Sequence, residues 1–237
     1  MSGHSKWNNI KRKKEKTDAQ KAKIFTKVGR ELAVAVKEGG ADPNSNFKLR
    51  EAILKAKSNN VPNDNIERII KKAAGEDAGT FENIVYEGYG PSGVAIIVET
   101  LTDNRNRTAG NIRHYFSKYG GNLGSTGCVS FMFSEKGVIV IDAEDIDISK
   151  LEEDVIESGA IDMSSDEDCF VIYTEKDDYE NVCKFLKEKN YSFVSSEIGM
   201  VPDNYVTVSE EEADKVNVLI DILDEDEDVQ NVWHNLK

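Results

Sequence analysis

Residues 94–101 read VAIIVETL, an almost continuous apolar run that marks a central β-strand. Upstream of it the apolar residues recur at helical spacing. Downstream they recur in short runs separated by turns. This change of period predicts an α+β chain: helices first, then sheets.

The upstream part divides into three helices. Over 18–37, Ile24, Val28, Leu32, Ala35 and Val36 form one apolar face, and Lys21, Lys23, Lys27 and Arg30 decorate the rest. Gly39 and Gly40 end this helix. A second helix opens near Asn46, turns Leu49, Ile53 and Ala56 inward, and closes at Asn59 and Asn60. A third starts at Pro62, Asn63 and Asp64, with Asn63 as the expected cap, and carries Ile66, Ile69, Ile70 and Ala73 to a stop at Gly75. Residues 75–80 read as a linker.

After the run at 94–101, a helix over 107–119 (Ile112, Tyr115 and Phe116 inward) leads to a strand at 129–133. From Lys136 the pattern is regular. It gives a strand at 137–141, a helix at 148–157, strands at 160–163 and 169–174, a helix at 179–189 and a strand at 191–195. The order β-α-β-β-α-β is that of a ferredoxin-like unit. A strand at 205–208, a helix at 210–223 and a strand at 229–235 complete the chain. The expected architecture is an N-terminal three-helix domain (1–76, with its basic arm) followed by two ferredoxin-like α/β domains. The second of these (135–197) is inserted in the first (77–134 and 198–237).

The charge follows the same partition. The 237 residues carry a net charge of -14, from 30 Lys+Arg against 44 Asp+Glu. Residues 1–72 hold 18 basic and 8 acidic residues, a balance of +10; 73–134 hold 4 and 6; 135–237 hold 8 and 30, a balance of -22. The average disfavours a polyanionic partner, but the head alone favours one. Lys6, Trp7, Lys11, Arg12, Lys13 and Lys14 lie in a stretch without apolar periodicity. This reads as an arm able to settle on a phosphate backbone, with Trp7 free to stack; the plain alternative is a solvated basic tail. The acidic runs 166–168, 210–212 and 224–228 read as solvated helix ends and turns, as surfaces that repel nucleic acid, or as faces for a basic protein. The run 224–228 lacks the glycine and the spacing of an EF-hand.

The most informative internal stretch is DNRNRTAGNIRHYFSKYGGNLGSTG, residues 103–127. Arg105 and Arg107 open a helix, where the macrodipole disfavours cations. An anion such as a phosphate would account for them. So would local pairing with Asp103, Glu99 or Glu87. Arg113, His114 and Lys118 continue the basic surface. Gly120, Gly121, Gly124 and Gly127 lack the lysine and the strand-to-helix context of a phosphate loop. They read instead as a helix cap and a tight turn.

No run of eighteen apolar residues exists, and the N-terminus lacks a signal peptide's apolar stretch, so a cytoplasmic protein with no membrane partner is expected. Cys128, Cys169 and Cys183 form no CxxC pair and read as reduced thiols. His4, His114 and His234 are too scattered for a metal motif. No nucleophile, base or carboxylate pair selects a reaction, so neither an enzyme nor a cofactor is expected.

Several stretches resemble the YebC/PmpR family, which includes the mitochondrial translational activator of cytochrome c oxidase. They are GHSKWNNIKRKK (3–14), GGADPNSNFKLR (39–50), NVPNDNIER (60–68), YEGYGPSGVAIIVETLTDNRNRTA (86–109) and YGGNLGSTGCVSFMF (119–133). The resemblance covers essentially the whole chain. It implies three domains and a non-enzymatic regulator of gene expression. Bacterial relatives are labelled DNA-binding transcriptional regulators. The mitochondrial branch, and a link to stalled ribosomes, imply instead an RNA-associated translation factor that could also meet basic ribosomal proteins through the acidic body. Lys6, Trp7, Lys11–Lys14, Arg105 and Arg107 are the residues that match the family's basic motifs.

Overall fold

The computed structural model describes residues 18–75, 80–165 and 168–237. Three helices come first: α1 (Asp18–Gly39), α2 (Phe47–Ser58) and α3 (Asn63–Ala73). Their apolar stripes close on one another, burying Val28, Leu32 and Val36 of α1, Leu49, Ala52 and Ala56 of α2, and Ile66 and Ala73 of α3. Asn46 joins α1 to α2. Its side-chain oxygen accepts from the Leu49 N–H at 3.1 Å, capping α2, while its amide donates to Ala35 O at 2.6 Å and Gly40 O at 2.7 Å. A Cβ on Gly39 would lie 2.7 Å from this side chain, so the turn is built for glycine there. The start of α3 differs from expectation. Pro62 holds the cap position without a side-chain bond, and Asn63 is the first helical residue. The Pro62 carbonyl already accepts from Asn65 and Ile66 N–H at 3.0 and 3.1 Å, so the turn closes through the backbone.

A four-stranded sheet follows, in the order β3-β1-β2-β8. It contains β1 (Glu82–Tyr89), β2 (Ala95–Thr102), the two-residue β3 (Asn122–Leu123) and β8 (Val229–His234). β1 and β2 form an antiparallel hairpin from Glu82↔Thr102 to Tyr89↔Ala95. Helix α4 (Arg105–Lys118) packs Phe116 against Gly88, where a Cβ would come within 2.8 Å of the ring and 2.5 Å of Asn122 O. Leu219 of α7 (Glu210–Glu225) approaches Gly90 on the same sheet.

The second sheet is antiparallel throughout, in the order β5-β6-β4-β7. Its elements are β4 (Phe133–Asp142), α5 (Ile148–Ser158), β5 (Asp162–Ser165), β6 (Cys169–Glu175), α6 (Tyr179–Glu188) and β7 (Phe193–Pro202). Ile139, Ile141, Phe170 and Ile172 meet Leu151, Val155, Val182 and Leu186 of the two helices. Val138, Val140, Cys169, Val171 and Tyr173 form a second buried cluster. The strand alternation that makes this possible is the period-two pattern of GVIVI at 137–141.

The chain is thus α+β, with a helical N-terminal region followed by sheets. Two of the expected strands are corrected. Residues 129–133 contain a 3₁₀ turn, Ser130–Met132, that feeds β4 at Phe133. Residues 205–208 supply only one bridge, Val206↔Leu236. In their place the first sheet uses β1, whose short apolar run Ile84–Tyr86 is half-buried or exposed throughout. Two compact units emerge among the described residues. One takes the chain up to Cys128, with the three N-terminal helices, and Glu211–Val232; the other takes Val129–Glu210 and Trp233–Lys237.

Candidate nucleic-acid interface

Helix α4 begins where the chain leaves β2. The Thr102 hydroxyl accepts from Asn104 N–H at 2.9 Å, and the Asn104 side chain caps the helix by accepting from Arg107 N–H at 3.1 Å. Beneath this cap sits a buried carboxylate, Asp228, just ahead of β8. The Thr108 hydroxyl donates to its Oδ2 at 2.7 Å, and Thr102 lies 3.2 Å from the same oxygen. Arg107 Nη2 contacts both Asp228 oxygens, at 2.8 and 3.0 Å, and also Asp103 at 2.8 Å. Arg30 of α1 reaches the other side: its Nη1 is 2.6 Å from Asp228 Oδ1, 2.6 Å from Glu227 O and 3.3 Å from Leu101 O. Burial pushes the Asp228 carboxyl up, but the bonds from Arg107, Thr108 and Arg30 outweigh it and hold the group below the usual carboxylate range.

The neighbouring acids are engaged as well. Asp226 accepts from Tyr115 OH at 3.1 Å and from Asn111 at 3.2 Å. Lys27 bonds the Asp224 carbonyl and lies 3.6 Å from its carboxylate, and Lys23 lies 3.6 Å from Glu225. The run 224–228, read from sequence as solvated or partner-facing, is therefore bound to basic and polar side chains of its own chain.

This sorts the candidate contacts. Lys23, Lys27, Arg30 and Arg107 all face carboxylates. Of the two open readings of the arginine pair, local pairing describes Arg107, through Asp103 and through Asp228, a partner distant in sequence. Arg105, Arg113 and Lys118 stand exposed on α4. Among the described residues none of the three makes an ion pair, and Lys118 lies 5.3 Å above the Tyr119 ring. Burial raises the pKa of the Tyr86 phenol, while the charges of Arg105 and Arg113 pull it down, so both cations lie within electrostatic reach of that group. The Tyr86 hydroxyl itself is buried and has no hydrogen-bond partner among the described residues. Lys6, Trp7, Lys11, Arg12, Lys13 and Lys14, and the side chain of Lys21, lie outside the described residues.

The glycine loop is a structural turn. Gly120 (φ +78°) follows the helix, Gly124 N–H donates to Glu87 O at 2.8 Å, and Gly127 N–H donates to the Glu87 carboxylate at 2.8 Å. Those two amides are engaged internally. Among the described residues no group of three or more His, Cys, Asp or Glu is placed to hold a metal ion, and no helix is long and apolar enough to cross a membrane. Sequence reading missed Asp228, Thr102 and Thr108 as a connected set. Their only signal was position, two flanking the helix start and one preceding the last strand.

Comparison with known proteins covers nearly the whole chain. Residues 5–76 match the family model described as TACO1/YebC protein N-terminal domain, and residues 81–236 match TACO1/YebC second and third domain. A protein of Hathewaya histolytica, described as "Probable transcriptional regulatory protein ORF2U", is 54% identical over 237 residues, covering 99% of this chain and 96% of that protein. A "Probable transcriptional regulatory protein" of Caldicellulosiruptor saccharolyticus is 55% identical, covering 99% and 98%. Among solved structures, the conserved hypothetical protein Aq1575 from Aquifex aeolicus is similar at 44% identity with a TM-score of 0.86, covering 94% of this chain and 92% of that one.

Proposed function

The chain belongs to the YebC/TACO1 family of probable transcriptional regulatory proteins, and from that premise we propose that it is a DNA-binding regulator that grips the phosphate backbone through α4 and the basic arm. Its role is regulatory and non-enzymatic. The observation that carries the binding reading is the division among its cations. Lys23, Lys27, Arg30 and Arg107 are occupied by acids, whereas Arg105, Arg113 and Lys118 are exposed along one helix with no ion pair among the described residues. Cations left unpaired in a chain of net charge -14 are available to an external anion. Cations spread around the helix, with no row of side chains on one face to follow a groove, suit backbone phosphates better than base edges, so weak sequence preference is expected.

The same reading suits the cytoplasm, where the three cysteines would stay reduced. We also read the second sheet as a ferredoxin-like insert. The support is its β-α-β-β-α-β element order with strand order β5-β6-β4-β7, and the return of β8 to the sheet of β1 and β2.

The test is fluorescence anisotropy with a labelled DNA duplex and a labelled single-stranded RNA. Arg105→Ala/Arg113→Ala/Lys118→Ala should weaken duplex binding by at least about tenfold at low salt. Unchanged duplex affinity would contradict the assignment. A loss confined to RNA would shift it to an RNA-associated factor.

A further inference from the structure

The basic stripe of α1 is the sequence feature that the α4 interface leaves unused. Lys23, Lys27 and Arg30 recur at helical spacing, so they share one face. That face meets four acids within five residues of the α7–β8 turn: Asp224, Glu225, Glu227 and Asp228. The apolar core of the head, in contrast, is drawn from α1, α2, α3 and the links between them. The head is thus complete in its own apolar packing, and its bonds to the turn are those of charged side chains. Such bonds weaken as salt shortens the Debye length, most of all where the groups are wet. The Glu225 and Glu227 side chains are about half exposed, at 47% and 55%.

Asp228 makes separation feasible. If Arg30 withdraws, the carboxylate keeps Arg107 at 2.8 and 3.0 Å and Thr108 at 2.7 Å. It is not left as an uncompensated buried charge, the usual penalty for breaking a buried pair. Arg30 withdraws to water or to another anion.

We propose that the α7–β8 turn is an internal polyanion that holds the basic face of α1 closed, and that nucleic-acid phosphates compete with it for Lys23, Lys27 and Arg30. The inference rests on the nucleic-acid reading above and adds to it an autoinhibitory contact. The affinity observed for a duplex is then the intrinsic affinity reduced by the fraction of open molecules.

Two measurements test it on the full chain. In a Cys128→Ser background, Lys23→Cys and Glu225→Cys are bridged by a short bifunctional methanethiosulfonate, which reductant cleaves. The bridged protein should bind a DNA duplex about tenfold more weakly than the same protein after reduction, an ordinary size for coupling between sites. Separately, Glu225→Gln/Glu227→Gln should bind more tightly than wild type, by several-fold more than the charge-matched Glu152→Gln/Glu153→Gln on α5. Equal affinity of bridged and reduced forms, with the dependence on Arg105 and Arg113 intact, overturns the inference and leaves the functional reading standing. Equal gains from the two glutamine pairs also overturn the inference, because the effect is then net charge alone. A wild-type chain that binds no nucleic acid overturns both.

Discussion

Asp228 receives two arginines and a threonine hydroxyl in a buried position, and its substitution separates charge from shape. Asp228→Asn keeps the volume but leaves Arg30 and Arg107 facing a neutral amide. A loss of about 3–5 kcal/mol is expected in urea denaturation, the range for breaking a buried pair. The pH dependence follows from the direction of the shift. The folded-state pKa is depressed below the unfolded one, so the stabilisation is present above the ordinary carboxylate pKa and is lost as pH falls through the folded value. Wild type should therefore lose stability on acidification more steeply than Asp228→Asn. Tyr115 acts at the other end of the scale. Burial, reinforced by the Asp226 charge and hydrogen bond, pushes its phenol up to about 12. With the folded pKa raised, this contribution is intact below the ordinary value of about 10 and is lost as pH rises toward the folded one. Tyr115→Phe should flatten the stability loss over that alkaline window in equilibrium unfolding.

At the scale of elements, α4 depends on a cap and on a close approach. The cap is Asn104 over the Arg107 N–H; the approach is Phe116 on Gly88, with Asn122 O on the other side. Gly88→Ala forces backbone and ring apart and should cost about 1–3 kcal/mol in thermal unfolding, the ordinary range for overpacking. These elements show what the primary structure makes legible. Helices α1 to α3, α5 and α6 follow from apolar spacing and from stops at glycine and asparagine, and β2, β4 and β6 from their apolar runs. β1 was not legible, because ENIVYEGY offers only the short apolar run Ile84–Tyr86 and gains burial from its hairpin partner β2 and, further along the chain, from β3 and Phe116. Residues 129–133 misled for the opposite reason. They are apolar enough for a strand, yet the carbonyl of Val129 accepts from Met132 N–H and winds them into a turn.

Across the whole molecule, the separation of charge between a basic head and an acidic body was plain in the sequence, and so was the motif around Arg105. The fate of each cation was not. Arg105 and Arg107 are two residues apart and chemically alike, but the helix turns Arg107 onto Asp228, 121 residues on, and leaves Arg105 exposed. Only the tertiary approach of the α7–β8 turn distinguishes them. The exposed cations of α4 are proposed to meet nucleic-acid phosphates. The most direct measurement of that contact is the slope of log Kobs against log salt concentration for a DNA duplex. Wild type is compared with Arg105→Ala/Arg113→Ala and with Lys150→Ala/Lys184→Ala, an equal charge change on α5 and α6. The slope should be smaller by about 1.8 for the arginine pair, near 0.9 for each lost phosphate contact, and unchanged for the lysine pair. Three superimposable lines, or equal losses from the two pairs, would contradict that proposal.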